Sequence, residues 1–326
     1  VNIAERARVV FVVGPTGVGK TSLAIELARR LGAEIINCDS RQVYIGMDIG
    51  TAKPTAAQRA CVPHHLLDVR EPSEPLDAAS FAALADSTIA DIHARRRRAL
   101  VVGGSGLYFR ALRWGIFPGP RASEELRTHL RKRAAREGYH SLYEELRAID
   151  PDTALRLAPR DLKRVIRALE VFYLTGVPLS VHHARHRPLR PRYESLVIGL
   201  TTEREKLYRA LDARFDQMLA AGLVEEVQAL LAKGYDAQSP ALTAIGYKQL
   251  AAYLRGEVTL EEAARLAKRD TRRFAKRQLT WFRAEPGILW MSAEQAYRQA
   301  GELLEHFFAG RWPTPDASVV NVHSNV

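Results

Sequence analysis

Gly14-Pro15-Thr16-Gly17-Val18-Gly19-Lys20-Thr21 satisfies G-x-x-x-x-G-K-[ST] at every fixed position. Those residue types at that spacing suit the cradling of a phosphate chain. Glycines let backbone N–H groups turn inward, a following helix offers its positive end to the anion, and the lysine reaches the outer phosphate. The Thr21 hydroxyl can ligate Mg²⁺, through phosphate and water. Two further groups fall where strands should end. Asp39 follows the apolar run from Ile35, and Ser105 follows Gly103-Gly104. Ligands of open α/β sheets bind at the carboxyl ends of strands, so both belong beside the cradle. Arg204, Arg209 and Arg214 come after a later apolar run. The set suits departure of a diphosphate stabilised by cations, with Asp39 as the single base for an incoming nucleophile. It also suits a small-molecule kinase in which Asp39 activates a hydroxyl. Glycines and a serine stand where a Walker-B carboxylate would follow Leu100-Val101-Val102, which argues against an NTP-hydrolysing motor. The glycines there would let a substrate approach the backbone closely.

The elements that must hold these groups are legible. Val9–Val13 reads as a buried parallel strand, Ser22–Leu31 as the helix after the loop, and Glu34–Ser40 as a second strand. Gly46 and Gly50 flank a mobile-looking segment that ends Thr51-Ala52-Lys53-Pro54. His64–Val69 reads as a short strand, with the His pair structural because no third ligand is spaced to join it. Residues 78–94 form an amphipathic helix, and 98–102 and 195–200 are further core strands. Between them, 121–182 offers only helices. The clearest is Asp161–Leu169, where Leu162, Val165, Ile166 and Leu169 make one apolar stripe and Lys163, Arg164 and Arg167 fall off it. His182–Arg192 is basic and proline-broken, a loop. Thr202-x-x-Glu205 is a capping box opening a helix that runs to about Gly222. The chain from there to Gly310 is mostly helical. The fold class is α/β: a P-loop NTPase-like parallel sheet flanked by helices, with an all-helical insertion. Its segments are 1–118 and 194–312 for the core, the second with a helical C-terminal extension, 119–193 for the insertion, and 313–326 for a disordered tail.

At 326 residues the chain allows one large domain or two modest ones. It has no run of eighteen apolar residues and no signal peptide, so no membrane partner and a cytoplasmic setting are expected. Cys38 and Cys61 lack metal-site spacing and read as reduced, buried thiols. The net charge of +11 is uneven: 121–192 and 265–283 each carry +7, which leaves −3 for the remainder. Two basic surfaces on a near-neutral body point to a polyanionic partner.

GPTGVGKT, DSRQVY, GMDIGTAKP, HHLLD, VVGGSGLY, RALEVF, IGYKQ and TRRFAKRQLTWF occur here in the order of the bacterial tRNA dimethylallyltransferases, also called tRNA isopentenyltransferases, of the MiaA type. The resemblance spans about Val9 to Trp290. It implies transfer of a dimethylallyl group from dimethylallyl diphosphate to the exocyclic N6 amine of the adenosine immediately 3′ of the anticodon, with Mg²⁺ as cofactor. It implies that Gly14 to Thr21 bind the diphosphate and that Asp39 acts as base at the amine. Ser105 stands where the family usually has threonine, and Arg214 matches its diphosphate-binding arginine. The tRNA-contacting segments match Asp39, Ser40, Arg41 and Gln42; Lys163, Arg164, Val165, Ile166 and Arg167; Ala244, Ile245, Gly246, Tyr247, Lys248 and Gln249; and Ala275, Lys276, Arg277, Gln278, Leu279, Thr280, Trp281 and Phe282. Ser105 and Arg127 join them. The partner is the tRNA anticodon stem-loop, and the enzyme is expected to be a monomer. A metabolite kinase would leave both basic segments without a use. A non-catalytic nucleic-acid binder would not need Lys20, Thr21 and Asp39. The related adenylate isopentenyltransferases, which modify free nucleotide, would not need the insertion.

Overall fold

A computed structural model describes residues 7–117, 119–186, 190–236 and 239–311. The chain runs β1 (Arg8–Val13), α1 (Lys20–Leu31), β2 (Ala33–Asn37), α2 (Ala56–Cys61), β3 (His64–His65), α3 (Ala78–Ala94), β4 (Arg98–Gly103) and α4 (Gly106–Trp114). Five helices follow: α5 (Glu124–Glu137), α6 (Tyr139–Ile149), α7 (Pro151–Ala154), α8 (Leu162–Thr175) and α9 (Leu179–Arg185). The chain returns with β5 (Glu194–Thr201), α10 (Arg204–Ala220), α11 (Leu223–Ala232), α12 (Tyr247–Leu254), α13 (Leu260–Arg283), β6 (Ile288–Ser292) and α14 (Ala293–Phe308). All pairings are parallel, in the order β3-β2-β4-β1-β5-β6.

β1 is apolar at every position from Val9 because both faces of the sheet are covered. Val9, Phe11 and Val13 point into one core, with α3, α4, α11 and α12. Val10 and Val12 point into the other, with α1 and α14. The chain divides into two compact units, one built from the segments up to Trp114 and from Pro191, the other from Gly115–Arg190. The second unit has its own core around Leu130, Leu142, Leu146, Val165 and Leu169. Its described residues contain no strand, as the patterning predicts.

Several expectations need correction. The C-terminal part is mostly helical as expected, but β6, not expected there, adds a sixth strand beside β5. β3 stops after His65 because Leu66 and Asp68 take positive φ values of 60° and 55°, which break extended pairing. The capping box at Thr202 does not form: Glu203 is the N-cap of α10, without a side-chain bond, so Glu205 sits one position too early to reach back. The basic stretch from His182 continues α9 to Arg185 rather than starting as loop. Cys38 is buried but Cys61 is exposed. The expected tail lies outside the described residues. Among those residues, no helix is long and apolar enough to cross a membrane.

Candidate active site

The loop after β1 turns through Gly14, Gly17 and Gly19, with φ values of 141°, 80° and 96°. A side chain at Gly14 would also strike the Leu200 carbonyl of neighbouring β5. α1 begins at Lys20, directly after the loop, so its unpaired N–H groups face the cavity. The Lys20 ammonium folds back to donate to the carbonyls of Gly14 (2.9 Å) and Pro15 (2.7 Å). Burial pushes it down to about 8; Asp39 opposes that push and Arg214 adds to it. Burial likewise lowers Arg214, against the pull of Asp39. Lys20, Asp39 and Arg214 thus share one field. They line one cavity of about 840 Å³ with Thr16, Gly17, Gly19, Thr21 and Gln42. Of the arginines on α10 that could have served, only Arg214 reaches it.

Asp39 is held as the chain leaves β2. Its backbone N–H donates to Asn37 Oδ1 (3.1 Å), and its Oδ1 accepts the Arg41 N–H (2.8 Å), which leaves Oδ2 for chemistry. Ser105 does not line the cavity. Its hydroxyl accepts the Ser40 N–H at 2.8 Å and donates to Ser40 Oγ at 3.1 Å. It therefore fixes the backbone after Asp39. The adjacent glycines are used by the protein itself. A Cβ on Gly103 would overlap the Cys38 carbonyl, and one on Gly104 would strike the Gln278 amide. Close approach is needed there by Cys38, just after β2, and by Gln278 of α13, and Gly103 also lines the cavity.

The segment that looked mobile is fastened. The fully buried Lys53 ammonium meets Asp48 at 2.6 Å, Asp68 at 2.5 Å and the Tyr44 carbonyl at 2.8 Å. On α11, Glu226 accepts the N–H groups of Asp48, Ile49 and Gly50 at 2.9, 2.8 and 3.2 Å, and the Tyr247 hydroxyl at 2.5 Å. Asp48 to Pro54 then form one wall of the cavity. Nothing in the sequence marked Glu226, because a carboxylate on a surface helix looks solvated until its backbone partners are placed. Glu226→Ala leaves those donors without an acceptor, a cost of roughly 2 kcal/mol or about 3 °C in Tm. Limited proteolysis should then cut between residues 45 and 55. An unchanged digestion pattern and Tm would show that the clamp is unimportant.

Many of the residues expected at tRNA are buried instead. Val165 and Ile166 belong to the core of the helical unit. Ala244, Tyr247, Gln249, Ala275, Gln278 and Phe282 are buried too, as is Gly246. Tyr247 braces Glu226, and Gln249 bonds Asp270 (2.9 Å) and the Gly246 N–H (2.9 Å). Arg127 and Arg167 are not free cations: they meet the fully buried Glu170 at 2.9 and 2.6 Å. Burial works to raise Glu170, but these two arginines prevail and hold it below the usual carboxylate value. On α13, Arg265, Lys268, Arg269 and Arg272 all make ion pairs. Lys163, Lys276, Arg277 and Thr280 stay exposed, Arg164 is exposed but paired with Asp161 at 3.3 Å, and Ile245, Leu279 and Trp281 are half-buried. Lys248 is exposed but ion-paired to Asp270 at 3.3 Å. Ser40, Arg41 and Gln42 are half-buried at the loop beside Asp39.

The sequence profile of the family described as IPP transferase matches residues 42–285. The chain belongs to this family. It is 50% identical over 287 residues to the tRNA dimethylallyltransferase of Geobacter metallireducens, covering 88% of this chain and 93% of that one. It is also 50% identical over 285 residues to the tRNA dimethylallyltransferase of Anaeromyxobacter dehalogenans, covering 87% and 95%. A full-length tRNA isopentenylpyrophosphate transferase from Bacillus halodurans superposes with a TM-score of 0.70 at 40% identity, over 94% of this chain and 98% of that structure. A eukaryotic dimethylallyltransferase acting on tRNA gives 0.81 at 27% identity, over 95% and 81%. The family profile begins after the phosphate loop and Asp39, so the role of the loop rests on its own geometry. No group of three or more His, Cys, Asp or Glu side chains able to hold a metal occurs among the described residues. Thr21, at the start of α1, offers a hydroxyl on the cavity wall, and this oxygen donor suits Mg²⁺ completed by phosphate oxygens and water.

Proposed function

We propose that the chain transfers a dimethylallyl group from dimethylallyl diphosphate to the N6 amine of the adenosine 3′ of the anticodon in tRNA. The observation that carries this reading is the meeting of Lys20, Arg214 and Asp39 in one cavity: cations for the leaving group beside a single carboxylate. The allylic C1–O bond breaks and its electron pair leaves with the diphosphate. The N6 lone pair forms the new bond to C1, and an N6 proton passes to Asp39. The allylic cation is resonance-stabilised, so the protein's task is to neutralise the departing oxygens and align the acceptor. Loop N–H groups, Lys20 and Arg214 do the first, and Asp39 the second. Mg²⁺, held through Thr21, the diphosphate and water, would add charge to the same oxygens. An adenosine in a single-stranded loop is readily unstacked into such a cavity. We take the enzyme to be a cytoplasmic monomer. Mass spectrometry of a tRNA digest, after incubation with dimethylallyl diphosphate and Mg²⁺, tests the reaction. Unmodified adenosine at that position would refute it.

The residues that meet tRNA narrow to exposed cations. Lys163 and Arg164 on α8, and Lys276 and Arg277 on α13, are placed to meet phosphates. Removing one cation from a phosphate should flatten the fall of log K with log salt by roughly 0.7 to 0.9. Alanine at Lys276 and Arg277, or at Lys163 and Arg164, should therefore weaken tRNA binding most at low salt and leave diphosphate binding alone. Arg167→Ala should act differently, by destabilising the helical unit, since it leaves Glu170 buried and less compensated. Wild-type tRNA binding by both double variants at every salt concentration would return these cations to a solvated role.

A further inference from the structure

Gln278 is a buried amide on α13, one residue beyond the exposed Lys276-Arg277 pair. Its Oε1 accepts the N–H of Thr16, inside the phosphate loop, at 2.9 Å. Its Nε2 donates to the carbonyl of Gly104, in the exit from β4, also at 2.9 Å. The orientation of the amide is fixed by its partners, since a backbone N–H requires the oxygen and a carbonyl requires the nitrogen. The site is built around this side chain. A Cβ on Gly104 would collide with Gln278 Nε2, and one on Gly106 would run into the Trp281 ring. The glycines after β4 thus leave room for one turn of α13.

We propose that Gln278 is a positioning residue for the diphosphate: it fixes the Thr16 peptide, and through it the N–H groups of the phosphate loop. A loop rich in glycine has many backbone conformations of similar energy, and only some aim their N–H groups at one anion. Gln278 removes the freedom of the Thr16 peptide by a bond from outside the loop. The inference rests on reading Gly14 to Thr21 as the diphosphate cradle.

Inorganic diphosphate with Mg²⁺ is the probe, titrated by calorimetry into the full-length wild type, Gln278→Met and Gly104→Ala. Methionine keeps the length of glutamine and removes both hydrogen bonds. Alanine at 104 keeps Gln278 and displaces its amide, and its Cβ also comes within 3.2 Å of the Gly14 carbonyl. Both variants should bind diphosphate about tenfold more weakly, the size of losing a buried hydrogen bond. The double variant should lose clearly less than the sum of the two single losses, because the Gln278 amide is their main shared target. Affinity for an anticodon stem-loop RNA, and the KM for tRNA, should stay within about threefold of wild type. If wild type fails to bind diphosphate, the cradle reading itself is wrong. If wild type binds and the variants bind equally well, the cradle stands and Gln278 has no positioning role. A parallel loss of RNA and diphosphate affinity would also overturn the proposal, because it would report general damage. Should Gln278→Met not fold, Gln278→Ala takes its place, since a Cβ at 104 also touches the Gly14 carbonyl and that variant alone would not isolate the amide.

Discussion

Asp39→Asn should lower the single-turnover rate of dimethylallyl transfer by about 10²–10⁴ while tRNA binds nearly as before, the usual cost of deleting a general base. The substitution is a clean test because the fold around it survives. Asn can still accept the Arg41 N–H through its side-chain oxygen, and the Asn37 bond to the residue-39 N–H does not involve the side chain at all. What disappears is the negative charge that faces Lys20 and Arg214, together with the acceptor for the N6 proton. A single-turnover rate within about threefold of wild type would take Asp39 out of the mechanism, given the range expected for a base.

The second large effect belongs to the cations. Lys20→Ala and Arg214→Ala should each reduce kcat by roughly 10²–10³, because each meets charge that develops only as the C1–O bond breaks. Lys20 also predicts a pH dependence with a definite sign. In the free enzyme it titrates at about 8, so above that pH the amine is neutral and binding an anion must draw a proton back onto it. Diphosphate affinity should therefore fall as pH rises past 8, approaching tenfold per unit, and this dependence should be missing in Lys20→Ala. Folding carries the opposite sign. The unfolded lysine holds its proton up to its ordinary value of 10.5, so this one group favours the folded chain more as pH rises from 8 to 10.5. Normal turnover at saturating substrate in both alanine variants, or a Kd that does not move between pH 7 and 9, would contradict these roles.

What could be read from the sequence was whatever is encoded by local spacing. The phosphate loop is a contiguous motif, and the strands at 9–13 and 99–102 are continuous apolar runs. Asp39 could be placed because strand ends of open sheets face one edge. Residues that act across the fold had no such mark. Gln278 sits between Arg277 and Leu279 in a helix whose basic face draws attention, and its two partners are backbone atoms of Thr16 and Gly104. Glu226 likewise binds three backbone N–H groups, which no sequence spacing reports. β6 escaped although Ile288-Leu289-Trp290-Met291 is a continuous apolar run after Pro286-Gly287, because a run of four cannot be told from a buried helix segment by periodicity. Whole segments matched as tRNA-contacting do not present every side chain alike, for a geometric reason. One helical turn shows some side chains to solvent and others to the core, so Lys276 and Arg277 are exposed while Ala275 and Gln278 are not.

The helical unit leaves and re-enters the core at touching points: the Arg192 N–H donates to the Arg113 carbonyl at 2.8 Å. In polymer terms, the whole unit is one excursion of the chain that closes on itself. The entropy of closing a loop grows only logarithmically with its length, by roughly 0.6 kcal/mol per doubling. Placing this unit where a short turn would serve therefore adds about 2 kcal/mol to the pairing of β1 with β5, by the same scaling. The unit has its own core around Leu142 and Leu169. The junction at Arg113 and Arg192 is accordingly a natural place to exchange one appended module for another without rewriting the catalytic half of the chain.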